Sequence, residues 1–294
     1  MVFTVRTDDE RFADLPDFPY EPRYVEVEDL RLARVDEGEG HPVVLVHGEP
    51  TWSFLWRKVL PPLLDAGSRV VVPDQVGFGR SDKPARRDWY SYDRLVESFT
   101  AHLDAAGLDE PVTLVVHDWG GPVGLRWAVE NPDRVARLVI LDTGLYSPGG
   151  RMSRAWQAFR DFVESTPDLP IGGLVQGGAA TDLPDEVVAA YEAPFPDAAS
   201  KAGASALPLL VPLSEQDPGA AEMSDVRASL HDWDRPTLVL WGADDPVLPP
   251  QVGEFFVRVI PGAIGVETVP GGHFLQEDAG EAIGERIARF VAET

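Results

Sequence analysis

A chain of 294 residues with 49 acidic against 25 basic side chains, and so a net charge of −24, lacks the basic face that nucleic acid or an anionic membrane requires of a partner. It has no cysteine, which removes disulfides, thiolate nucleophiles and cysteine metal sites and leaves any catalysis to oxygen and imidazole. Its length suits one large α/β domain with or without an insertion, and with neither a signal-peptide pattern in Met1 to Glu10 nor an apolar run of membrane length, a cytoplasmic protein is expected.

After a polar, proline-punctuated lead, Tyr24–Val27 and Leu30–Val35 alternate as an antiparallel pair at the edge of a sheet. Val43–Val46 is a continuous apolar run, which suits a strand buried on both faces, and it ends in the loop His47-Gly48-Glu49-Pro50-Thr51-Trp52. Helical periodicity over Phe54–Leu64 precedes a second buried strand, Val70–Val72, and the glycine-bearing loop from Asp74 to Asp82. Tyr92–Gly107 reads as an amphipathic helix, Val112–Val116 as a strand, and Leu138–Leu141 as the next. From Gly144 roughly eighty residues carry no sheet-like run and are broken by Pro and Gly, the pattern of an inserted, mainly helical cap. The α/β pattern resumes with Thr237–Trp241, a helix from about Gln251, a strand near Gly265–Val269, the loop Pro270–Leu275 and a last helix from Ala279.

The stretch Leu114-Val115-Val116-His117-Asp118-Trp119-Gly120-Gly121 ends an apolar strand in a polar pair and two glycines, and Pro122 then opens a helix. This is the pattern of a nucleophile elbow with a carboxylate at the corner, although elbows usually place a small residue where this chain has Val116. Read alone, Asp118 is also a good helix cap. Asp118, then Asp244 or Asp245, then His273 each follow a predicted buried strand, in the order nucleophile, acid, histidine of an α/β-hydrolase triad.

These motifs, with Tyr191-Glu192-Ala193-Pro194-Phe195-Pro196-Asp197 and Gly272-His273-Phe274, resemble the haloalkane dehalogenases over nearly the whole chain. The aspartate elbow alone is shared with epoxide hydrolases and fluoroacetate dehalogenases; the His-Gly-Glu-Pro turn, the Trp after the nucleophile and the cap motif are more specific. The resemblance implies an α/β-hydrolase fold with a mostly parallel sheet, a core of residues 1–145 and 229–294, and a helical cap at 146–228. Its glycine-to-aspartate spacing selects Asp245 as the acid over Asp244. Some relatives carry the acid after the preceding strand, which would make it Asp142.

Chemistry narrows the reaction independently, because a carboxylate attacking an ester gives a strained anhydride whereas attack on an sp³ carbon gives an ordinary ester. The expected sequence is displacement at carbon by Asp118, then hydrolysis of the ester by a water that His273 deprotonates, with a small haloalkane and water as partners, halide leaving, and no cofactor or metal. Backbone N–H groups of Glu49 and Trp119 are the expected oxyanion donors, Pro50 having none, and the Glu49 carboxylate is a candidate to hold water or to form a surface ion pair.

Halide calls for weak donors such as indole N–H, whereas an epoxide oxygen calls for an acid, and the cap offers Tyr146 and Tyr191 for that alternative. Relatives with this turn hold halide between two indoles, one of them on the first cap helix in a Phe-x-x-Trp pattern. Here that helix reads Trp156-Gln157-Ala158-Phe159, the aromatics exchanged, and Trp156 is the only cap tryptophan between Gly144 and Arg227. Trp119 and Trp156 are therefore the expected halide ligands, with Trp156 as packing and Phe159 as pocket lining the competing reading. A non-catalytic binder on the same fold is a further alternative, separable by release of halide from a bromoalkane.

Overall fold

The computed structural model describes residues 3–146, 150 and 152–294, so that Met1 and Val2 of the lead, and 147–149 and 151 at the start of the expected cap, lie outside the described residues. Its strands are β1 (Thr4–Val5), β2 (Arg23–Val27), β3 (Leu30–Glu37), β4 (Pro42–Val46), β5 (Arg69–Pro73), β6 (Lys83–Pro84), β7 (Val112–His117), β8 (Val135–Leu141), β9 (Thr237–Gly242) and β10 (Ala263–Val269). The helices around the sheet are α1 (Leu60–Asp65), α2 (Tyr92–Ala105) and α3 (Gly120–Glu130). Those of the cap stretch are α4 (Arg154–Ser165), α5 (Ile171–Gly178), α6 (Asp185–Glu192), α7 (Ala202–Leu210) and α8 (Ala220–Ser229), and the chain closes with α9 (Gln251–Val259) and α10 (Leu275–Glu293).

Eight strands form one sheet in the order β10-β9-β8-β7-β4-β5-β3-β2, every neighbouring pair parallel except β5 with β3 and β3 with β2 at one edge, so that β3 alone runs against the rest. The central strands are apolar throughout because both faces are covered: every side chain of β4 and β7 is buried. Helix α1 packs on α10 and α2 on α3, and the carboxyl ends of β4, β7, β8, β9 and β10 converge on one rim. Open parallel sheets bind ligands at that rim.

Two details depart from the periodicity. The helix expected over Phe54–Leu64 is a 3-10 turn at Ser53–Trp56 followed by α1, because Pro61 and Pro62 have no N–H to continue a helix and are tolerated only in a first turn. The last helix begins at Leu275 and is kinked at Ala279 (φ −136°, ψ 26°), the residue at which it was expected to start. The cap stretch contains five helices and no strand among the described residues; α8 runs across the expected boundary at 228/229 and packs on α3.

Candidate active site

β7 ends at His117 and α3 begins at Gly120, leaving Asp118 on the corner with φ at +48°, a left-handed conformation that a non-glycine residue adopts only under constraint. The constraint is visible on both sides of the residue. Asp118 N–H donates to Asp142 O at 3.2 Å, and Asp118 O accepts from Thr143 Oγ1 at 2.6 Å and from Gly121 N–H at 2.8 Å. The unusually large Val116 is accommodated from α3, where a Cβ at position 124 would stand 2.6 Å from Val116 Cγ1 and glycine leaves the space free. No side-chain capping bond forms at the start of α3, so the Asp118 carboxylate is available to the rim.

His273, in the loop after β10, lies between two carboxylates. Its Nδ1 is 2.8 Å from Asp245 Oδ2 and its Nε2 is 3.4 Å from Asp118 Oδ2. Asp245 Oδ1 accepts from the N–H groups of Val247 (2.7 Å) and Leu248 (2.9 Å), so the turn that follows this buried side chain fixes its orientation. Burial opposes a charged imidazole, but Asp245 and Asp118 outweigh it and hold His273 well above the usual histidine range. Burial likewise opposes ionisation of Asp118, and the hydrogen bonds from His273 and Trp119 N–H overcome it, holding the carboxyl below its ordinary value. Asp244 is exposed and contributes only its backbone N–H, to Gly271 O.

His117 supports His273 from behind. A carbonyl can only accept, so the 2.8 Å contact of His117 Nε2 with His273 O fixes the proton on Nε2; burial, reinforced by the neighbouring His273, lowers His117 to about 4 and keeps it neutral.

Both expected oxyanion donors face the Asp118 carboxylate: Glu49 N–H is 2.7 Å from Asp118 Oδ1, and Trp119 N–H also bonds this carboxylate. The turn carrying Glu49 is held by His47, whose Nδ1 donates to Gly48 O (2.9 Å) and whose Nε2 accepts from Gln75 N–H (3.0 Å). The Glu49 side chain forms no ion pair. It is buried, its Oε1 has no partner among the described residues, and burial together with the charge on Asp118 raises it well above a normal glutamate.

A cavity of about 270 Å³ opens over Asp118, lined by Glu49, Trp119, Trp156, Phe159, Leu174 and Phe274 together with small residues of α5. Trp156 and Phe159 thus both reach it, and among the described residues the indole N–H groups of Trp119 and Trp156 make no hydrogen bond. No tyrosine lines the cavity among the described residues. Tyr191 is fully buried and donates to the carboxylate of Glu277, itself paired with Arg57, while Tyr146 lies partly buried elsewhere. The periodicity gave no sign of the α5 wall; its signal is the pair Gly173 and Gly177, four apart on a helix and so on one face.

The loop from Asp74 to Asp82, on the same rim, has a structural task. Asp74 accepts from Ser53 N–H and Arg80 N–H, and Asp82 from Arg6 and Arg31 N–H. Asp142 is fully buried, accepts from Gly242 N–H, and is raised well above a normal aspartate by burial and by Asp245. Ligand atoms of Asp142, Asp245 and His273 lie within 4.8 Å of one another, but Nδ1 of His273 carries the proton of its bond to Asp245 and has no lone pair for a metal.

A family model described as the alpha/beta hydrolase fold matches residues 41–280. A haloalkane dehalogenase of Mycolicibacterium paratuberculosis is 43% identical over 292 residues, 96% of each chain, and haloalkane dehalogenase 1 of Mycobacterium tuberculosis is 44% identical over 299 residues, 99% of each chain. Among solved structures, the tetrameric haloalkane dehalogenase DpaA from Paraglaciecola agarilytica superposes with a TM-score of 0.91 at 34% identity, covering 97% of each chain.

Proposed function

This chain belongs to the haloalkane dehalogenases, hydrolases of carbon–halide bonds within the α/β-hydrolase fold, and on that premise we propose that Asp118 is its nucleophile, His273 its general base and Asp245 the acid that orients the base. The observation that carries the assignment is one imidazole held between two carboxylates, 2.8 Å from the one its backbone turn orients and 3.4 Å from the one on the strained corner. In the first step an Asp118 oxygen attacks the halogen-bearing carbon in line, the carbon–halogen bond breaks with its electron pair, and halide departs toward the N–H groups of Trp119 and Trp156. The product is a neutral alkyl ester.

That change of charge prepares the second step. Asp118 in its anionic form helps hold the proton on His273; once esterified it no longer does, so the proton of the imidazolium is released and the ring becomes a base. Neutral His273 takes a proton from water as the water oxygen attacks the ester carbonyl, and the N–H groups of Glu49 and Trp119, already aimed at this carboxyl group, receive the oxyanion. Such donors contribute roughly 3–4 kcal/mol each to related reactions. Collapse expels the alcohol and restores the Asp118 anion beside a protonated His273, so haloalkane and water give alcohol, halide and one proton. We assign the Glu49 carboxyl, buried beside Asp118 with its Oε1 unpartnered among the described residues, to hold the attacking water.

The absence of a tyrosine hydroxyl from the cavity wall among the described residues favours halide over epoxide as the leaving group. The test is mass spectrometry of His273→Ala after incubation with a bromoalkane. The expected result is one equivalent of bromide released and the mass of one alkyl group retained on Asp118; a folded variant that binds substrate and gains no adduct overturns the two-step reading.

A further inference from the structure

In the loop that carries the base, one carboxylate gathers four donors, three of them from the cap. Asp278 Oδ2 accepts from Ala180 N–H and from Gly272 N–H, both at 2.9 Å, and Oδ1 accepts from Thr181 N–H at 2.9 Å and Thr181 Oγ1 at 2.7 Å. Three of these donors lie just beyond α5 in the cap and the fourth precedes His273 itself. A second tie runs beside it: the N–H groups of His273 and Phe274 donate to Gly178 O at 2.8 and 3.4 Å. The approach is close enough to require glycine at 272, where a Cβ would stand 2.3 Å from Gly178 O.

The kink at Ala279 leaves Leu275–Asp278 as a turn separate from the body of α10. Other hydrogen bonds between cap and core, from Thr7, Arg11 and Trp52 to residues 190–194, from Arg87 to Ser205 and from Ser153 to Val247 O, end outside this loop, whereas Tyr191 of α6 donates to the Glu277 carboxylate within it, on the side chain before Asp278. The segment 178–181 and the loop 272–278 are therefore one hydrogen-bonded unit that includes both the cavity wall and the general base.

We propose that Asp278 is a positioning residue that fixes His273 by clasping the cap to the base loop, so that a displacement of the cap at 178–181 and a displacement of the base are one event. The inference rests on the reading of His273 as the general base. Only the second chemical step uses that base; alkylation needs Asp118 and the halide donors alone. The clasp thus acts on ester hydrolysis and leaves halide formation on the first turnover in place. A residue that merely held the fold together would affect both steps.

The experiment is rapid mixing of Asp278→Asn with a bromoalkane, following bromide and the mass of the protein together. Asparagine keeps the shape, but its NH₂ group replaces one acceptor and confronts the N–H groups of Ala180 and Gly272 in one orientation and that of Thr181 in the other, where the Thr181 hydroxyl alone can turn to accept. The expected result is a first-turnover bromide burst close to that of the unsubstituted protein, hydrolysis at least tenfold slower, and alkylated Asp118 accumulating during turnover. Equal slowing of burst and steady state, or no change in either, overturns the proposal. Should Asp278→Asn fail to fold, Thr181→Val decides, since it removes one of the four donors and touches nothing in the cavity: a two- to fivefold slower hydrolysis with an unchanged burst supports the clasp, and an unchanged ratio of the two overturns it. His273→Ala in parallel separates the premises, because an adduct there without one in Asp278→Asn rejects the clasp and retains the base.

Discussion

Replacing Trp156 with phenylalanine removes an indole N–H from the cavity wall while keeping an aromatic ring on α4. Trp119 and Trp156 both line the cavity, and neither Nε1 has an acceptor among the described residues, so each N–H is open to an anion there. A hydrogen bond to a charged acceptor contributes about 1.5–3 kcal/mol, which converts to a roughly ten- to a hundredfold weaker bromide affinity in Trp156→Phe. The substitution strands no acceptor in the protein, so the fold is expected to tolerate it. Titration of intrinsic fluorescence with bromide measures the change, and Phe159→Leu is the companion variant, altering the packing of the same helix face without touching an N–H. Equal bromide affinity in Trp156→Phe and the unsubstituted protein would refute the reasoning and assign Trp156 to packing, with Trp119 the lone indole ligand.

Two further outcomes follow from buried carboxyl groups. Tyr191→Phe removes a hydrogen bond to the Glu277 carboxylate, which remains paired with Arg57 and Lys58; thermal melting should show a loss of about 1–2 kcal/mol with bromide release retained, whereas loss of turnover in a folded variant would mark Tyr191 as an acid for the leaving group. Asp142→Asn should stabilise the protein increasingly as pH rises. Burial and the neighbouring Asp245 raise Asp142 in the folded state, so the folded chain binds a proton that the unfolded chain has released above its own pKa of about 3.9; stability from this group is present below that value and is lost as pH climbs toward the raised one. Melting curves of the two proteins from pH 4 upward should diverge, and parallel curves would show that Asp142 is ionised in the fold.

The parts of the site readable in the sequence are those in which one short segment sets the geometry. An apolar run, a polar pair and two glycines can hardly fold otherwise than strand, corner and helix, and Asp118 occupies the corner. Composition does not separate Asp244 from Asp245, and only the resemblance chose between them; in the structure, the turn through Pro246 delivers the N–H groups of Val247 and Leu248 to Asp245 and leaves its neighbour in solvent. The exchanged Trp156 and Phe159 were undecidable from spacing because positions three apart share a helix face, and both indeed line the cavity. The two-residue strands β1 and β6 were invisible, being too short for any periodicity to register.

What no window of sequence could contain is the coupling of distant segments. Gly178 and His273 are 95 positions apart, and Asp278 and Thr181 are 97 apart, yet the hydrogen bonds between these stretches set where the base stands. In isolation Gly177-Gly178 reads as the end of a helix, and Asp278 as an acid in the first turn of the next, favoured there by the helix dipole. Each local reading is correct, and each hides a second use of the same atoms. Four donors converging on one carboxylate place the cavity wall and His273 on a common footing, so under the roles proposed above the geometry of ester hydrolysis depends on a cap segment that no alternation, spacing or charge pattern distinguishes from packing.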